Sequence, residues 1–229
     1  MASEHLEKLA LNFGVKKENI FPAPVGADLE QFNPAIDGSK IKEAYKITGP
    51  LVLYIGQLHG AQHIDLFIQA ANEVLHVNPN VFFMIVGEGF MEGGLRKLAS
   101  DLGISGKIIF TGAVTHQRIP EFIAASEVCV ASFRDTQVTR CKSPLKIVEY
   151  LASGKAIVAS NVAEARRMLG GAGLLVNPGN FYDLANGILR LLQDETLRGC
   201  LGKFARRRAE RRYNWTATTS SLISAYSRR

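Results

Sequence analysis

Short apolar runs of strand length alternate with helical patterns through most of this chain of 229 residues. The segments between the runs carry apolar residues at helical spacing. Strict alternation of strand and helix predicts parallel strands joined by crossover helices. We therefore predict an α/β fold, a Rossmann-like, doubly wound, six-stranded parallel sheet. The predicted strands begin at Leu51, Val81, Lys107, Val128, Ala156 and Gly173.

Two flanks depart from the alternation. A short helix stopped by Gly14 precedes the first strand and leads into a loop rich in Pro and Gly, and three helices follow the last strand. We divide the chain into an arm (residues 1–38), a Rossmann-like domain (39–212) and a terminal helix (213–229). The predicted helices span residues 3–13, 65–77, 91–102, 118–125, 145–153, 163–169, 181–193, 196–211 and 215–227.

Composition limits the cellular location and the metal chemistry that we expect of this chain. No apolar run approaches the length of a transmembrane helix, and the start MASEHLEK lacks the apolar core of a signal peptide. Cys129, Cys141 and Cys200 are widely spaced and form no CxxC pair, so neither a disulfide framework nor a zinc site is indicated. We predict a soluble, cytoplasmic protein without a metal.

The formal net charge of +6 is concentrated near the end, where FARRRAERRYNW carries five arginines. Such a basic helix can contact an anionic membrane surface or a phosphate, or it can be a solvated face interspersed with Glu210. We favour the solvated face, with peripheral association at the inner face of the membrane as the alternative. No nucleic-acid-binding motif accompanies the charge, so we do not expect nucleic acid as a partner.

The strand order common to such folds, 3-2-1-4-5-6, reverses between the first and fourth strands, and ligands bind at that switch point. The loops that meet there are residues 56–63 and 132–144. Both are polar and contain Gly or Ser, which suits anion binding by backbone N–H groups at helix starts. We predict the ligand site between the 56–63 loop and the helix beginning near Leu145.

Glu149 lies in the segment of residues 142–160, KSPLKIVEYLASGKAIVAS, which predicts a loop, an amphipathic helix, a glycine stop and a buried strand. Its neighbours in sequence are apolar. A solvated helix residue is one interpretation, but a carboxylate in such a turn is expected to have a partner.

Familiar cofactor motifs are absent. A GxGxxG fingerprint does not follow the first strand, and the nearest glycine pair, Gly87 and Gly89, follows the second strand and predicts a turn. No P-loop, HExxH, GxSxG or EF-hand pattern occurs either. A nicotinamide-binding domain, an NTPase and a hydrolase are therefore disfavoured, and we predict no cofactor.

The order of motifs resembles the C-terminal, donor-binding domain of retaining glycosyltransferases with the two-Rossmann GT-B fold, glycosyltransferase family 4 (group 1). The resemblance covers nearly the whole chain. Its five parts are similar to the family's interdomain segment, first strand with loop and helix, next two units, signature helix and closing part. They are residues 21–34, 54–71, 86–114, 143–160 and 170–194.

The resemblance implies roles for several residues. Glu149 is expected to hydrogen-bond the ribose hydroxyls of a UDP-, GDP- or ADP-linked sugar, since a carboxylate can accept two such bonds. Backbone groups near Val114 are expected at the nucleobase, and the N–H groups of Leu145 and Lys146 at the diphosphate or sugar. The implied donor-binding set also includes Ser143, Gly56, Gln57 and Gln62.

The chain departs from the family pattern at three of these positions. The family usually carries two glutamates eight positions apart, and the first falls here on Cys141, so the catalytic residue is unassigned. It also usually carries an Arg and a Lys in the first loop, where this chain has Gln57 and Gln62. We expect weaker diphosphate binding. The cations expected to compensate are Arg134, Arg140 and Lys142.

In the family, a second Rossmann domain precedes the interdomain segment and supplies the acceptor site. Only a short helix precedes it here, so we expect a fragment or half of a split enzyme that transfers no sugar by itself, with the N-terminal domain as its partner. We also expect residues 22–34 and the terminal helix to be loosely held. The alternative function is a degenerate, non-catalytic module that binds nucleotide sugars or proteins.

Overall fold

The computed structural model describes residues 2–227. It contains a six-stranded sheet of order β3-β2-β1-β4-β5-β6, parallel throughout, which confirms the predicted fold class and strand order. The strands are β1 (Leu51–Ile55), β2 (Phe82–Val86), β3 (Ile108–Gly112), β4 (Val128–Ala131), β5 (Ala156–Ser160) and β6 (Leu174–Val176).

Helices cover both faces of the sheet. They are α1 (Glu4–Asn12), α2 (Ser39–Ala44), α3 (Ile64–Val77), α4 (Glu92–Asp101), α5 (Ile119–Ala125), α6 (Gln137–Cys141), α7 (Leu145–Ala152), α8 (Ala163–Leu169), α9 (Phe181–Gln193), α10 (Glu195–Arg212) and α11 (Trp215–Tyr226). Single 3-10 turns occur at Lys17–Asn19, Gly60–Gln62, Ser105–Lys107 and His116–Arg118.

Two apolar cores flank the sheet. On β1, Val52 and Tyr54 face the core formed with α3, α4 and α9, whereas Leu51 and Leu53 face the core formed with α5, α7, α8 and α10. Since successive side chains of a strand point to opposite faces, a sheet covered on both sides requires apolar residues at every position. This requirement accounts for the continuous apolar runs in the sequence.

Two short helices, α2 and α6, were not predicted. The α6 helix lies inside the predicted 132–144 loop and begins with a capping box, in which the Thr136 side chain accepts from the Thr139 N–H and the Thr139 side chain accepts from the Thr136 N–H. A helix of five residues is too short for its apolar periodicity to be recognised. The loop prediction was therefore wrong for this segment, although its place at the sheet edge was right.

The arm is hydrogen-bonded to the terminal segment, and it packs one aromatic side chain into the domain core. The Ala27 N–H donates to the Tyr213 carbonyl at 2.9 Å, and the Thr218 hydroxyl donates to the Pro24 carbonyl at 2.7 Å. Phe32 is buried in the core beside α7. The prediction of a loosely held arm was wrong, because a loop without periodicity can still bury an aromatic side chain and pair its backbone.

The switch point lies between β1 and β4, which run side by side in register. The Ile55 N–H at the end of β1 donates to the Tyr150 hydroxyl at 3.0 Å. This bond ties α7 to the last residue of β1. The start of α7 therefore faces the carboxyl edge of the sheet, where ligands of open α/β folds bind.

Candidate functional site

The α7 helix presents one polar face at the switch point. Lys146, Glu149 and Tyr150 follow the i, i+3, i+4 spacing that places side chains on one helix face, and all three are buried. No side chain of residues 2–227 caps the first turn of the helix. The N–H groups of Leu145 and Lys146 are thus available at a helix N-terminus, which favours an anion.

Glu149 has a histidine partner. Its Oε1 lies 2.8 Å from the Nε2 of His116, a residue of the 3-10 turn that follows β3. The Glu149 side chain is 9 % exposed, whereas that of His116 is 59 % exposed. The expectation of a partner is confirmed, and the alternative of a solvated helix residue is wrong. Sequence reasoning missed His116, because it shares no motif with Glu149.

An open cavity of about 600 Å³ lies at the carboxyl ends of β1, β2 and β3. This volume falls within the range of small-molecule sites. Three predicted donor-binding residues line it, namely Gly56, Gln57 and Val114. The other lining residues are Ile55, Leu58, His59, Val86, Gly87, Glu88, Gly89, Phe90, Ala113 and Ile119.

Lys146 reaches from α7 to the 56–63 loop. Its Nζ donates to the Gln62 Oε1 at 3.1 Å and lies 4.0 Å from the centre of the Tyr54 ring and 5.4 Å from that of Phe133. A Cβ added at Gly56 would lie 2.7 Å from the same Nζ. The loop and the helix therefore meet at this ammonium.

The surroundings shift two pKa values. The pKa of Lys146 is lowered to about 7, chiefly by burial and next by the nearby Lys142 ammonium, against the raising effect of Glu149. Burial, followed by Lys142 and Lys146, also lowers the pKa of His59 in the loop. The loop and the start of α7 therefore share a positive potential.

Two predicted site residues contact the beginning of the chain. The Cys141 carbonyl accepts from the Ser3 hydroxyl at 2.8 Å, and the Ser143 hydroxyl donates to the Ala2 carbonyl at 2.7 Å. These contacts lie before the start of α7, away from the residues that line the 600 Å³ cavity. The donor roles of the whole predicted set stay predictions: Ser143, Gly56, Gln57, Gln62, Val114, Leu145, Lys146 and Glu149.

Two of the three cations expected to compensate have carboxylate partners. Arg134 donates to Asp65 at 3.0 Å and to the Gly60 carbonyl at 2.7 Å, and Arg140 forms two bonds to Asp135. Lys142 is half-buried and forms no ion pair within residues 2–227. The two arginines are thus engaged in the fold.

The described residues provide neither a metal-ligand cluster nor a membrane-spanning helix. No group of three or more His, Cys, Asp or Glu side chains between residues 2 and 227 is placed to hold a metal ion. Within the same residues, no helix is both long enough and apolar enough to cross a bilayer.

Sequence comparison gives the family. The chain belongs to the Glycosyl transferases group 1 family, which matches residues 49–194. It is 26% identical over 191 residues to alpha-D-kanosaminyltransferase of Streptomyces kanamyceticus, covering 82% of this chain and 48% of that protein. It is 27% identical over 245 residues to D-inositol 3-phosphate glycosyltransferase of Acidothermus cellulolyticus, covering 93% and 53%. The chain spans about half the length of these curated relatives.

Solved structures share the fold. A glycosyltransferase from Rickettsia africae superposes with a TM-score of 0.88 at 17% identity, covering 99% of this chain and 62% of that one. HepE from Anabaena, in complex with UDP and glucose, gives 0.86 at 21% identity, covering 99% and 61%. The C-terminal domain of LpcC, a group 1 glycosyl transferase from Francisella tularensis, gives 0.73 at 22% identity, covering 83% and 100%.

Proposed function

We propose that this chain is the C-terminal, donor-binding domain of a retaining GT-B glycosyltransferase of family 4. The enzyme transfers a sugar from a nucleoside diphosphate to a glycan or lipid-linked acceptor. One observation carries the proposal: the buried carboxylate Glu149 and the uncapped start of α7 lie at the switch point, where the Lys146 ammonium lies against Gly56, a residue that lines the 600 Å³ cavity. The family match and the UDP and glucose bound to HepE support it.

The proposed donor spans the carboxyl edge of the sheet. Its base enters the cavity at Val114, and its diphosphate lies against the N–H groups at the start of α7. Glu149 holds His116 through Oε1, which leaves Oε2 for both ribose hydroxyls, because each oxygen of an ionised carboxylate accepts two hydrogen bonds. Binding in this pose requires neither a metal nor a further cofactor.

We assign residues 1–38 to the interdomain arm, 39–212 to the donor domain and 213–229 to a crossover helix. The partner is an N-terminal Rossmann domain that carries the acceptor site. The twofold greater length of the curated relatives supports this arrangement. A GT-B reaction takes place between two domains, so the donor domain alone forgoes the rate gained by orienting both substrates.

Calorimetric titration of the 229-residue chain with UDP-glucose, GDP-mannose and ADP-glucose tests donor binding. We expect saturable heat with one of the three. Radiolabelled sugar transfer to lipid and glycan acceptors, with and without an N-terminal domain added in trans, tests the proposal that the acceptor site lies on that second domain. We expect no transfer by the chain alone, and robust turnover by it would contradict the two-domain proposal.

A degenerate, non-catalytic module is the second candidate. It is favoured by Gln57, Gln62 and Cys141 at positions where the family usually carries charge. The bonds from Ser3 to the Cys141 carbonyl and from Ser143 to Ala2 also occupy the segment before α7. Absence of heat with all three donors would favour this candidate over the first.

We further propose a cytoplasmic location with peripheral contact at the inner membrane face. The exposed arginines Arg207, Arg211 and Arg212 of α10 supply the positive charge for an anionic surface. Flotation with vesicles of phosphatidylglycerol, compared with phosphatidylcholine, tests the contact. Equal flotation with both would leave the arginines as a solvated face.

A further inference from the structure

We propose that the side chain of Lys146, rather than a cation of the 56–63 loop, neutralises the donor diphosphate in this chain, and that Gln62 holds the ammonium in the donor-free state. The inference rests on the proposed function and names the group that replaces the missing loop cations. It concerns the Lys146 ammonium, which is distinct from the backbone N–H group at the same position.

The position of Nζ is the first argument. The ammonium lies against Gly56, the residue that follows β1, where a Cβ would come within 2.7 Å of it. The Lys146 backbone belongs to the first turn of α7. The side chain thus lies between the two elements that meet at the switch point and, when protonated, adds a positive charge to the helix terminus.

The unsatisfied donors of the ammonium are the second argument. An ammonium has three N–H donors. In the described structure the Lys146 ammonium has a single hydrogen-bond acceptor, the Gln62 Oε1. The Tyr54 hydroxyl donates to the same oxygen at 3.3 Å. The remaining contacts are the faces of Tyr54 and Phe133. Two donors are thus left for an incoming oxygen.

The missing acid partner is the third argument. A buried cation is costly unless a carboxylate pairs with it, and burial lowers the pKa of Lys146 to about 7. The nearest carboxylate on the helix, Glu149, is bound to His116. A methionine would fill the same space without this cost. The fold therefore retains a charge that it does not itself use.

The cation on the helix, Lys146, explains why the loop carries the neutral Gln62 where the resemblance predicts a cation. Gln62 stands where the resemblance predicts a cation, and its carbonyl oxygen faces Nζ at 3.1 Å. A lysine at position 62 would bring two ammonium groups together in a buried place, which is unfavourable. The two cations are therefore alternatives, and this chain places its cation on the helix. Gln57, by contrast, is exposed.

The test compares the wild-type chain with Lys146→Met by calorimetry, using whichever of UDP-glucose, GDP-mannose and ADP-glucose binds the wild-type chain, and by thermal denaturation. We expect binding to weaken at least about 30-fold, as for the loss of charge-assisted hydrogen bonds. We also expect an unchanged or higher Tm, because a buried charge has been removed. The control is Lys40→Met, an exposed lysine of α2 outside the proposed site, for which we expect a loss below about fivefold.

The exchange variant Gln62→Lys/Lys146→Gln keeps the charge and moves it to the loop. We expect it to recover affinity to within about tenfold of the wild-type chain. Equal affinity of the wild-type and Lys146→Met chains, or a lower Tm of Lys146→Met, overturns this inference alone. Absence of binding by the wild-type chain to all three donors overturns the proposed function and this inference with it.

Discussion

The half-buried Lys155 and the buried Lys146, at opposite edges of the sheet, have different surroundings. Lys155, at the amino end of β5, donates to the carbonyls of Ala124 and Ser126, both at 2.8 Å. Lys146, at the carboxyl edge, has one side-chain amide and two aromatic rings. Burial lowers the pKa of both. A buried cation whose donors are taken by backbone carbonyls stabilises the fold, whereas one with spare donors is available to a ligand.

The same contrast extends to the cavities. A cavity of about 570 Å³ at the amino edge is lined by Lys155, Arg198 and Arg206, among others. Arg206 donates to the carbonyls of Phe32 and Ala152, at 2.9 and 2.7 Å, and Arg198 donates to carbonyls at the end of α9. Volume and positive charge alone therefore do not identify a ligand site, because these cations already have partners.

The largest expected effect concerns the two buried carboxylates, Glu149 and Glu164. We expect Glu149→Ala to cost about 2 to 5 kcal/mol of donor binding, since two charge-assisted hydrogen bonds to ribose are lost, while the fold remains intact. The control is Glu164→Ala, which removes the partner of Arg167 and is expected to lower the Tm without changing affinity. Titration and thermal denaturation of both variants measure this. Unchanged affinity of Glu149→Ala would assign it a structural role.

The second largest expected effect concerns the contribution of Lys155 to stability, in comparison with that of Lys146. We expect Lys155→Met to lower the free energy of unfolding by about 2 to 4 kcal/mol, because the Ala124 and Ser126 carbonyls lose their donor. Donor affinity should not change. Urea denaturation monitored by circular dichroism measures the loss. If the Tm of Lys155→Met were as high as that of Lys146→Met, the proposed difference between a lysine that stabilises the fold and one that binds a ligand would be contradicted.

A smaller effect is expected at Gly56. Its φ of +145° is one that L side chains rarely adopt, and a Cβ there would meet the Lys146 ammonium. We expect Gly56→Ala to cost about 1 to 3 kcal/mol of stability and to weaken donor binding. The control is Gly60→Ala in the same loop, where a Cβ meets no atom within 4 Å. If the two variants behave alike in denaturation and titration, Lys146 does not lie against Gly56 in solution.

The pH dependence of binding is the smallest expected effect. Lys146 has a pKa of about 7 in the fold, and a bound diphosphate holds its proton. Below pH 7 the ammonium is charged before binding, so affinity is constant. Above pH 7 affinity should fall, approaching tenfold per pH unit. UDP-glucose is a suitable probe because both of its phosphates are diesters of constant charge.

With rising pH, the free energy of unfolding should change in the opposite direction to donor affinity. Between pH 7 and about 10 the unfolded chain keeps the Lys146 proton that the fold has lost, so the free energy of unfolding rises with pH. Lys146→Met should flatten both profiles. The groups that face Lys146 are Tyr54, His59, Lys142 and Glu149. A wild-type binding profile that matches that of Lys146→Met would contradict this assignment.

Much of the fold could be predicted because its determinants are local. The spans of β5, α8 and α9 were predicted to the residue, since Gly154 and Asn161 flank β5, Gly170 ends α8 and Asn180 begins α9. The predicted strand order is the one common to doubly wound folds, and it is confirmed. The short helices α2 and α6 escaped prediction because too few residues carry their pattern.

The sequence by itself determined the alternating fold, the edge at which we propose that a ligand binds and the presence of a carboxylate on α7. The tertiary structure alone decided that Glu149 meets His116 and that Lys146 meets Gln62, pairs separated by 33 and 84 residues along the chain. Periodicity specifies which face of an element is buried, but it carries no information on which distant polar side chains meet there. Those contacts depend on strand register and on the placement of the helices, which are defined only once the sheet and the helices have packed together.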